Sequence, residues 1–66
     1  MPIVDVHIRE QSYETRESIA KRITQVIVEE TQHPAHAVTV MFHTVNPDYV
    51  AAGGEMVDKL LNKSKS

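Results

Sequence analysis

Residues 2–8 form the first pattern in the chain, because apolar side chains alternate there with a second set that is half polar. One side of the pattern consists of Val4, Val6 and Ile8, and the other consists of Ile3, Asp5 and His7. A period of two over this length predicts a β-strand with one apolar face. The mixed face is expected to meet either water or another subunit.

Residues 13–31 carry a helical pattern. The apolar positions are Ile19, Ile23, Val26 and Ile27, which lie four, seven and eight residues after the first of them. This spacing predicts an amphipathic helix. Ser12 is the candidate N-cap. Pro34 is expected to end the helix because it lacks a backbone N–H and disfavours helical geometry in the residue before it.

Residues 37–44 alternate again and predict a second strand. One face carries Val38, Val40 and Phe42, and the other carries Thr39, Met41 and His43. A strand, a helix and a strand predict an α/β fold built on one βαβ unit, with two parallel strands and a right-handed crossover. The single helix covers only one face of this sheet. Because parallel sheets are almost always covered on both faces, the other cover is expected from a second copy or another chain.

The C-terminal third predicts a short hairpin or arm. A turn signal at residues 46–48 precedes a small apolar segment that ends in Gly53-Gly54. Residues 55–61 have apolar positions at roughly helical spacing, and residues 62–66 are polar and are expected to form a frayed tail. No linker divides the sequence, so residues 1–66 are predicted to form one domain.

Composition limits how this domain becomes stable. A chain of 66 residues usually needs disulfides, a metal or a partner subunit to support its small core. The chain contains no Cys, which excludes disulfides and thiolate zinc sites. Self-association is therefore the expected support.

Charge and hydropathy exclude further classes of protein. The formal charge of −2 has the wrong sign for a phosphate backbone, so no nucleic-acid partner is expected. No apolar run approaches the roughly 20 residues that cross a membrane, and residues 1–5 lack the basic start of a signal peptide. We predict a cytoplasmic protein without a membrane partner.

Pro2 is the residue with the most suggestive chemistry. An initiator Met before a small residue is normally removed, and removal of Met1 leaves a secondary amine on Pro2. An α-amino group has a pKa near about 7.7–8.0 in water, and burial or nearby cations lower it. Such an amine is a competent general base, and its protonated form is a general acid. The alternative is that Met-Pro is a common start with no role.

The order of several short motifs resembles the 4-oxalocrotonate tautomerase family. These motifs are Pro2-Ile3-Val4-Asp5-Val6-His7-Ile8, one amphipathic helix, Val38-Thr39-Val40 and Gly53-Gly54-Glu55. The resemblance covers residues 2–57. It implies a βαβ subunit that assembles into dimers and then into a hexamer, a trimer of dimers. It also implies that Pro2 moves a proton between carbon and oxygen of a small enol or 2-keto acid, with no cofactor and no metal.

Two departures from the family pattern affect the expected substrate. The family commonly has Glu-Gly-Arg-Ser after the first strand, where this chain has Glu10-Gln11-Ser12. The family's Val-Arg-Val in the second strand is replaced by Val38-Thr39-Val40. Because Gln and Thr do not replace a bidentate Arg–carboxylate contact at equal strength, monocarboxylates such as enol-phenylpyruvate are expected to fit better than dicarboxylates.

Five further residues are candidates for substrate binding by position. Arg9 is the candidate substitute cation, with a solvated strand-end arginine as the alternative. Thr39 shares the position of a family arginine. Tyr49 and Val50 lie near the family's aromatic position and, with Ile8, are expected to wall an apolar pocket; simple packing at a subunit contact is the alternative for Tyr49.

The four histidines do not predict a metal site. His33 and His36 flank Pro34 in a loop, so they share no helix face. A zinc site needs three or four ligands. His43 is interpreted as a hydrogen-bonded interface residue rather than a catalytic one, and His7 as structural.

The leading hypothesis is a keto–enol tautomerase that uses Pro2. The alternative is a weakly active or inactive family member that acts as an oligomeric small-molecule-binding protein. Hydration or dehalogenation of an unsaturated acid would also need a carboxylate that activates water, and the sequence pattern places none for that role.

Overall fold

A computed structural model describes the backbone of residues 1–65 and the side chains of residues 1–61. Two short 3-10 turns, Ala35–Ala37 and Pro47–Tyr49, connect the regular elements. The regular elements are β1 Ile3–Ile8, α1 Tyr13–Thr31, β2 Thr39–Thr44, β3 Ala51–Ala52, β4 Glu55–Met56 and α2 Val57–Lys65. The predicted α/β fold, with a βαβ unit, one long helix and a C-terminal hairpin, is confirmed.

Strands β1 and β2 pair in parallel, in a register that runs from Ile3 opposite Thr39 to Ile8 opposite Thr44. The ladder extends one residue at each end, because Thr39 N donates to Pro2 O at 3.0 Å and Val45 N donates to Ile8 O at 2.7 Å. The second strand begins two residues later than predicted. Residues 35–37 form a 3-10 turn instead, in which Val38 N donates to Ala35 O at 3.1 Å.

Helix α1 has the predicted bounds and the predicted N-cap. Ser12 has extended geometry, and its hydroxyl accepts a hydrogen bond from Thr15 N at 3.1 Å. At the other end, Gln32 adopts a left-handed conformation with φ of 63°, and its N–H donates to Val28 O at 2.9 Å. Both ends of the helix therefore satisfy backbone groups that would otherwise lack a partner.

Replacing the cap, Ser12→Ala, is expected to lower the free energy of unfolding by about 1 kcal/mol, because Thr15 N loses its acceptor. Chemical denaturation followed by circular dichroism measures this change. Ser18→Ala is the matched control, since Ser18 is exposed within the same helix and Ala has the higher helix propensity. Equal stability of the two variants would contradict the capping role.

One face of the parallel sheet is covered by α1 and the other is open. Along β1, Val4, Val6 and Ile8 are half-buried, whereas the alternate side chains are exposed. Ile3 is 53% exposed and Met41 on β2 is 42% exposed. We call the open face, which carries Ile3, Asp5, His7, Thr39, Met41 and His43, the bare sheet face.

The isolated chain has more surface than a compact monomer. Its accessible area is 5298 Å², whereas about 4,200 Å² is typical for a folded monomer of this mass. Its radius of gyration is 15.6 Å, against about 11 Å for a compact domain of 66 residues. No described side chain is fully buried. The isolated chain is therefore less compact than a typical folded monomer of this length.

The C-terminal arm, residues 47–65, packs largely on itself. β3 and β4 form an antiparallel hairpin with Ala51 opposite Met56. Gly53 and Gly54 form its two-residue turn with φ of 61° and 84°, a conformation for which glycine is favoured. Helix α2 contacts β4 and the 47–49 turn.

The polar end of the chain is only partly described. The backbone of residues 62–65 continues α2, and Ser66 lies outside the described residues. Fraying of residues 62–66 therefore stays a prediction. Among the described residues, neither helix is both long and apolar enough to cross a bilayer.

Candidate active site

Pro2 lies immediately before β1, at the end of the sheet where both parallel strands begin. Its side chain is half-buried, and its carbonyl accepts a hydrogen bond from Thr39 N at 3.0 Å. The structure therefore brings together two of the predicted site residues, Pro2 and Thr39. This hydrogen bond holds Pro2 against β2 through its carbonyl. The ring nitrogen takes no part in it, because that nitrogen forms the peptide bond to Met1.

Ile8 and Arg9 lie at the opposite end of the same strand. Six residue steps separate Pro2 from Ile8, which corresponds to about 20 Å along an extended chain. The straight pairing of β1 with β2 over its whole length excludes a fold-back that would shorten this distance. A single chain therefore does not bring Pro2 together with Ile8 or Arg9.

A depression of about 190 Å³ lies beside the far end of the sheet. It is lined by residues from three places: the end of β1 and the segment after it, the end of β2, and the start of α1. These residues are Ile8, Arg9, Glu10 and Gln11, then Phe42, His43 and Thr44, and Arg16. We call it the arginine depression. The sequence pattern gives no reason to place Arg16 here, because no local signal relates the start of α1 to the end of β2.

A second depression of about 260 Å³ shares Arg16 and Phe42 with the first. Its remaining lining residues are Tyr13, Glu17 and Ala20. We call it the tyrosine depression. The Arg16 guanidinium carbon lies 5.7 Å from the centre of the Tyr13 ring, within the range of a cation–π interaction.

Tyr49 and Val50 lie in the C-terminal arm. Tyr49 is 83% exposed, and its backbone N–H donates to Asn46 O at 2.9 Å. Val50 is half-buried, and its carbonyl accepts from Val57 N at 2.8 Å. No hydrogen bond among the described residues links either of them to Pro2.

Three polar side chains of the bare sheet face interact with one another. His43 Nε2 lies 3.0 Å from Asp5 Oδ1, and the two side chains are 46% and 49% exposed. The His7 ring stacks on the His43 ring, with centroids 4.4 Å apart and an angle of 12° between the planes. The hydrogen bond predicted for His43 is present. The parallel register supplies its partner, because it places Asp5 opposite Met41 and His7 opposite His43.

The described residues contain no group of three or more His, Asp or Glu side chains that could hold a metal ion. The Asp5–His43 pair and the stacked His7 offer hydrogen-bonding and stacking groups. Beside these groups, the described residues offer the two guanidiniums of the arginine depression and the ring nitrogen of Pro2 at the start of the sheet.

Comparison with known proteins supports the fold described above. The model of the Tautomerase enzyme family matches residues 2–60. No curated protein matches the chain.

Several solved structures share the fold. TomN, a 4-oxalocrotonate tautomerase homologue in the tomaymycin biosynthetic pathway, is 24% identical with a TM-score of 0.86, over 98% of this chain and 100% of that chain. The 4-oxalocrotonate tautomerase isozymes of Methylibium petroleiphilum are 23% identical with a TM-score of 0.81, over 89% and 97%. DmpI from Helicobacter pylori is 14% identical with a TM-score of 0.79, over 88% and 98%.

At these identities the structural similarities show the fold, whereas the family model covers nearly the whole sequence. The resemblance drawn from the order of the motifs is thereby confirmed. The chain belongs to the tautomerase family.

Proposed function

We propose that the protein is a keto–enol tautomerase in which Pro2, after removal of Met1, is the general base and acid. The observation that carries the proposal is the position of Pro2 in a chain of this family. It lies at the start of the sheet, half-buried and anchored through its carbonyl to Thr39 N. That hydrogen bond holds the backbone that carries a terminal ring nitrogen beside the start of β2.

The reaction needs one proton to leave oxygen and one to arrive on carbon. The neutral Pro2 nitrogen takes the enol O–H proton, and the electron pair of the O–H bond forms the C=O bond. The C=C electron pair then takes a proton from the protonated Pro2, which gives the keto acid and returns the neutral amine. A group whose pKa lies near the working pH is suited to both steps.

The proposal requires a homo-oligomer. Pro2 and Ile8 lie about 20 Å apart in one chain, so a pocket that contains both needs Pro2 of one copy and Ile8 and Arg9 of another. The bare sheet face and the large accessible area support such an assembly. We propose a hexamer, arranged as a trimer of dimers, with Tyr49 and Val50 of the arm as walls of the pocket.

The substrate class follows from the residues that replace the usual arginines. Gln11 and Thr39 are neutral, so the site lacks the charge that holds both ends of a dicarboxylate. A small monocarboxylic enol or 2-keto acid is the proposed substrate, and the chemistry calls for no cofactor. The proposed location is the cytoplasm.

Pro2→Ala is expected to slow the ketonisation of enol-phenylpyruvate but not to abolish it. Met1 is also removed before Ala, which leaves a primary amine, so part of the contribution of about 10²- to 10⁴-fold from acid–base catalysis survives. The decay of the enol absorbance measures the rate, and intact mass spectrometry shows that Met1 is absent from both proteins. Equal rates for the two proteins would remove Pro2 from the mechanism.

A different result would favour the alternative function. If the wild-type protein without Met1 binds phenylpyruvate but does not accelerate ketonisation, the chain is an oligomeric small-molecule-binding protein of the tautomerase family. The neutral side chains Gln11 and Thr39 favour this second candidate, because the family uses arginines at these positions.

A further inference from the structure

The arginine depression and the tyrosine depression adjoin, because Arg16 and Phe42 line both. Their volumes are about 190 Å³ and about 260 Å³. Each is smaller than the volume of about 300–1,000 Å³ that is typical of small-molecule sites. A ligand of that size would therefore need both depressions, with one part in each.

The arginine depression carries an excess of positive charge. It is lined by Arg9 and Arg16 against the single carboxylate of Glu10. Among the residues whose side chains are described, the only ion pair is His43 with Asp5, so neither guanidinium has a carboxylate within 4.0 Å. Two guanidiniums without ion-pair partners in one concavity favour a carboxylate ligand.

The tyrosine depression has a different character. Its walls are largely apolar and come from Tyr13, Ala20 and Phe42. Its one acidic lining residue is Glu17. A ring or alkyl group gains free energy by leaving water for such walls. A second carboxylate would meet Glu17 here, so a dicarboxylate is disfavoured and an apolar group is favoured.

We propose that the two depressions form one binding site for an apolar monocarboxylate of the aryl 2-keto acid class. The carboxylate binds to Arg9 and Arg16, and the aryl group packs on Phe42 and Tyr13. The inference rests on the proposed function for its ligand class, since it makes Arg16 the group that holds the substrate carboxylate. The Pro2 that acts on this substrate comes from a second copy.

The test measures binding without turnover. The probe is 3-phenylpropionate, which has the ring and the carboxylate but no keto group, and the titration is followed by heteronuclear NMR on the full chain. Arg16→Gln is expected to weaken binding about 10-fold, the scale of one hydrogen bond to a charged group. Arg22→Gln is the matched control, because it removes the same charge from the same helix outside both depressions.

Ligand controls avoid any change in the protein. Propionate lacks the ring, and 3-phenylpropionamide lacks the charge. Each is expected to bind about 10-fold more weakly than 3-phenylpropionate, since each loses one half of the site. Chemical-shift changes from the intact probe are expected around both Arg9 and Ala20.

The enzyme assay gives an independent readout. If Arg16 holds the substrate in both the ground state and the transition state, Arg16→Gln raises KM for enol-phenylpyruvate about 10-fold and leaves kcat nearly unchanged. Arg16→Lys is expected to recover part of the loss, because it restores the charge without the bidentate geometry. Circular dichroism checks that the variants are folded. Arg16→Gln is expected to keep its helix content, because Gln and Arg have similar helix propensities.

The possible outcomes separate this inference from the proposed function. Equal probe affinity for Arg16→Gln and Arg22→Gln overturns the site, whatever the activity. A loss of probe affinity that leaves KM unchanged overturns its role as the substrate site. A wild-type protein that binds the probe through Arg16 but shows no turnover supports the site and refutes the proposed tautomerase activity.

Discussion

A protein that retains Met1 is expected to catalyse the ketonisation of enol-phenylpyruvate about 100- to 10,000-fold more slowly than the processed protein. In the retained form the Pro2 nitrogen belongs to a peptide bond, and its lone pair is delocalised into the carbonyl. It then neither accepts nor donates the proton. This change is more severe than Pro2→Ala, which leaves an amine in place.

The retained form is made by inserting a lysine between Met1 and Pro2, because an initiator Met before a large residue is not removed. Intact mass spectrometry verifies the terminus, and kcat/KM is compared with that of the processed protein. An alanine inserted at the same place is the matched control for added length, since Met1 is then removed but the Pro2 nitrogen is still an amide. If either extended protein keeps full activity, a terminal proline base is refuted.

Met41→Glu is expected to break up the proposed assembly. Met41 is 42% exposed on the bare sheet face and lies opposite Asp5 in the parallel register. If a second copy covers this face, the substitution buries a carboxylate beside another carboxylate, at a cost of roughly 3–5 kcal/mol per chain. For so short a chain that cost is comparable to a large part of the total stability.

Light scattering coupled to size-exclusion chromatography measures the mass of the particle, and thermal unfolding measures its stability. Ser18→Glu adds the same charge at an exposed position of α1 and is expected to leave both unchanged. Met41→Leu keeps an apolar side chain of similar volume and is also expected to assemble. An unchanged particle mass for Met41→Glu would show that the bare sheet face is not the interface.

The predicted elements depend on signals that are local in the chain. The alternation of residues 2–8, the helical spacing of residues 13–31 and the Gly53-Gly54 pair each specify backbone conformation within a few residues. The predicted start of β2 was wrong by two residues, because Pro34 and the segment after it form a 3-10 turn. Its hydrogen bonds leave no sign in the pattern of apolar residues.

The candidate site was predictable only in part for the same reason. Pro2 could be proposed from the sequence, because the chemistry of a terminal proline and the order of the family motifs are both visible along the chain. The position of Arg16 near Arg9 was not predictable, because Arg16 contributes to a concavity formed with Phe42 and His43, more than 20 residues away in sequence. The spacing of apolar residues within one helix does not show which end of a strand will pack beside that helix.

The sequence by itself determined the βαβ unit, the cap at Ser12 and the family. These features follow from backbone preferences and from the order of short motifs, which are properties of local segments. The tertiary structure decided the distances. It separated Pro2 from Arg9 by the length of a strand, joined His43 to Asp5, and placed Arg16 with Arg9 in one depression. Those relations arise from register and packing between distant segments, which specify contacts that no single segment encodes.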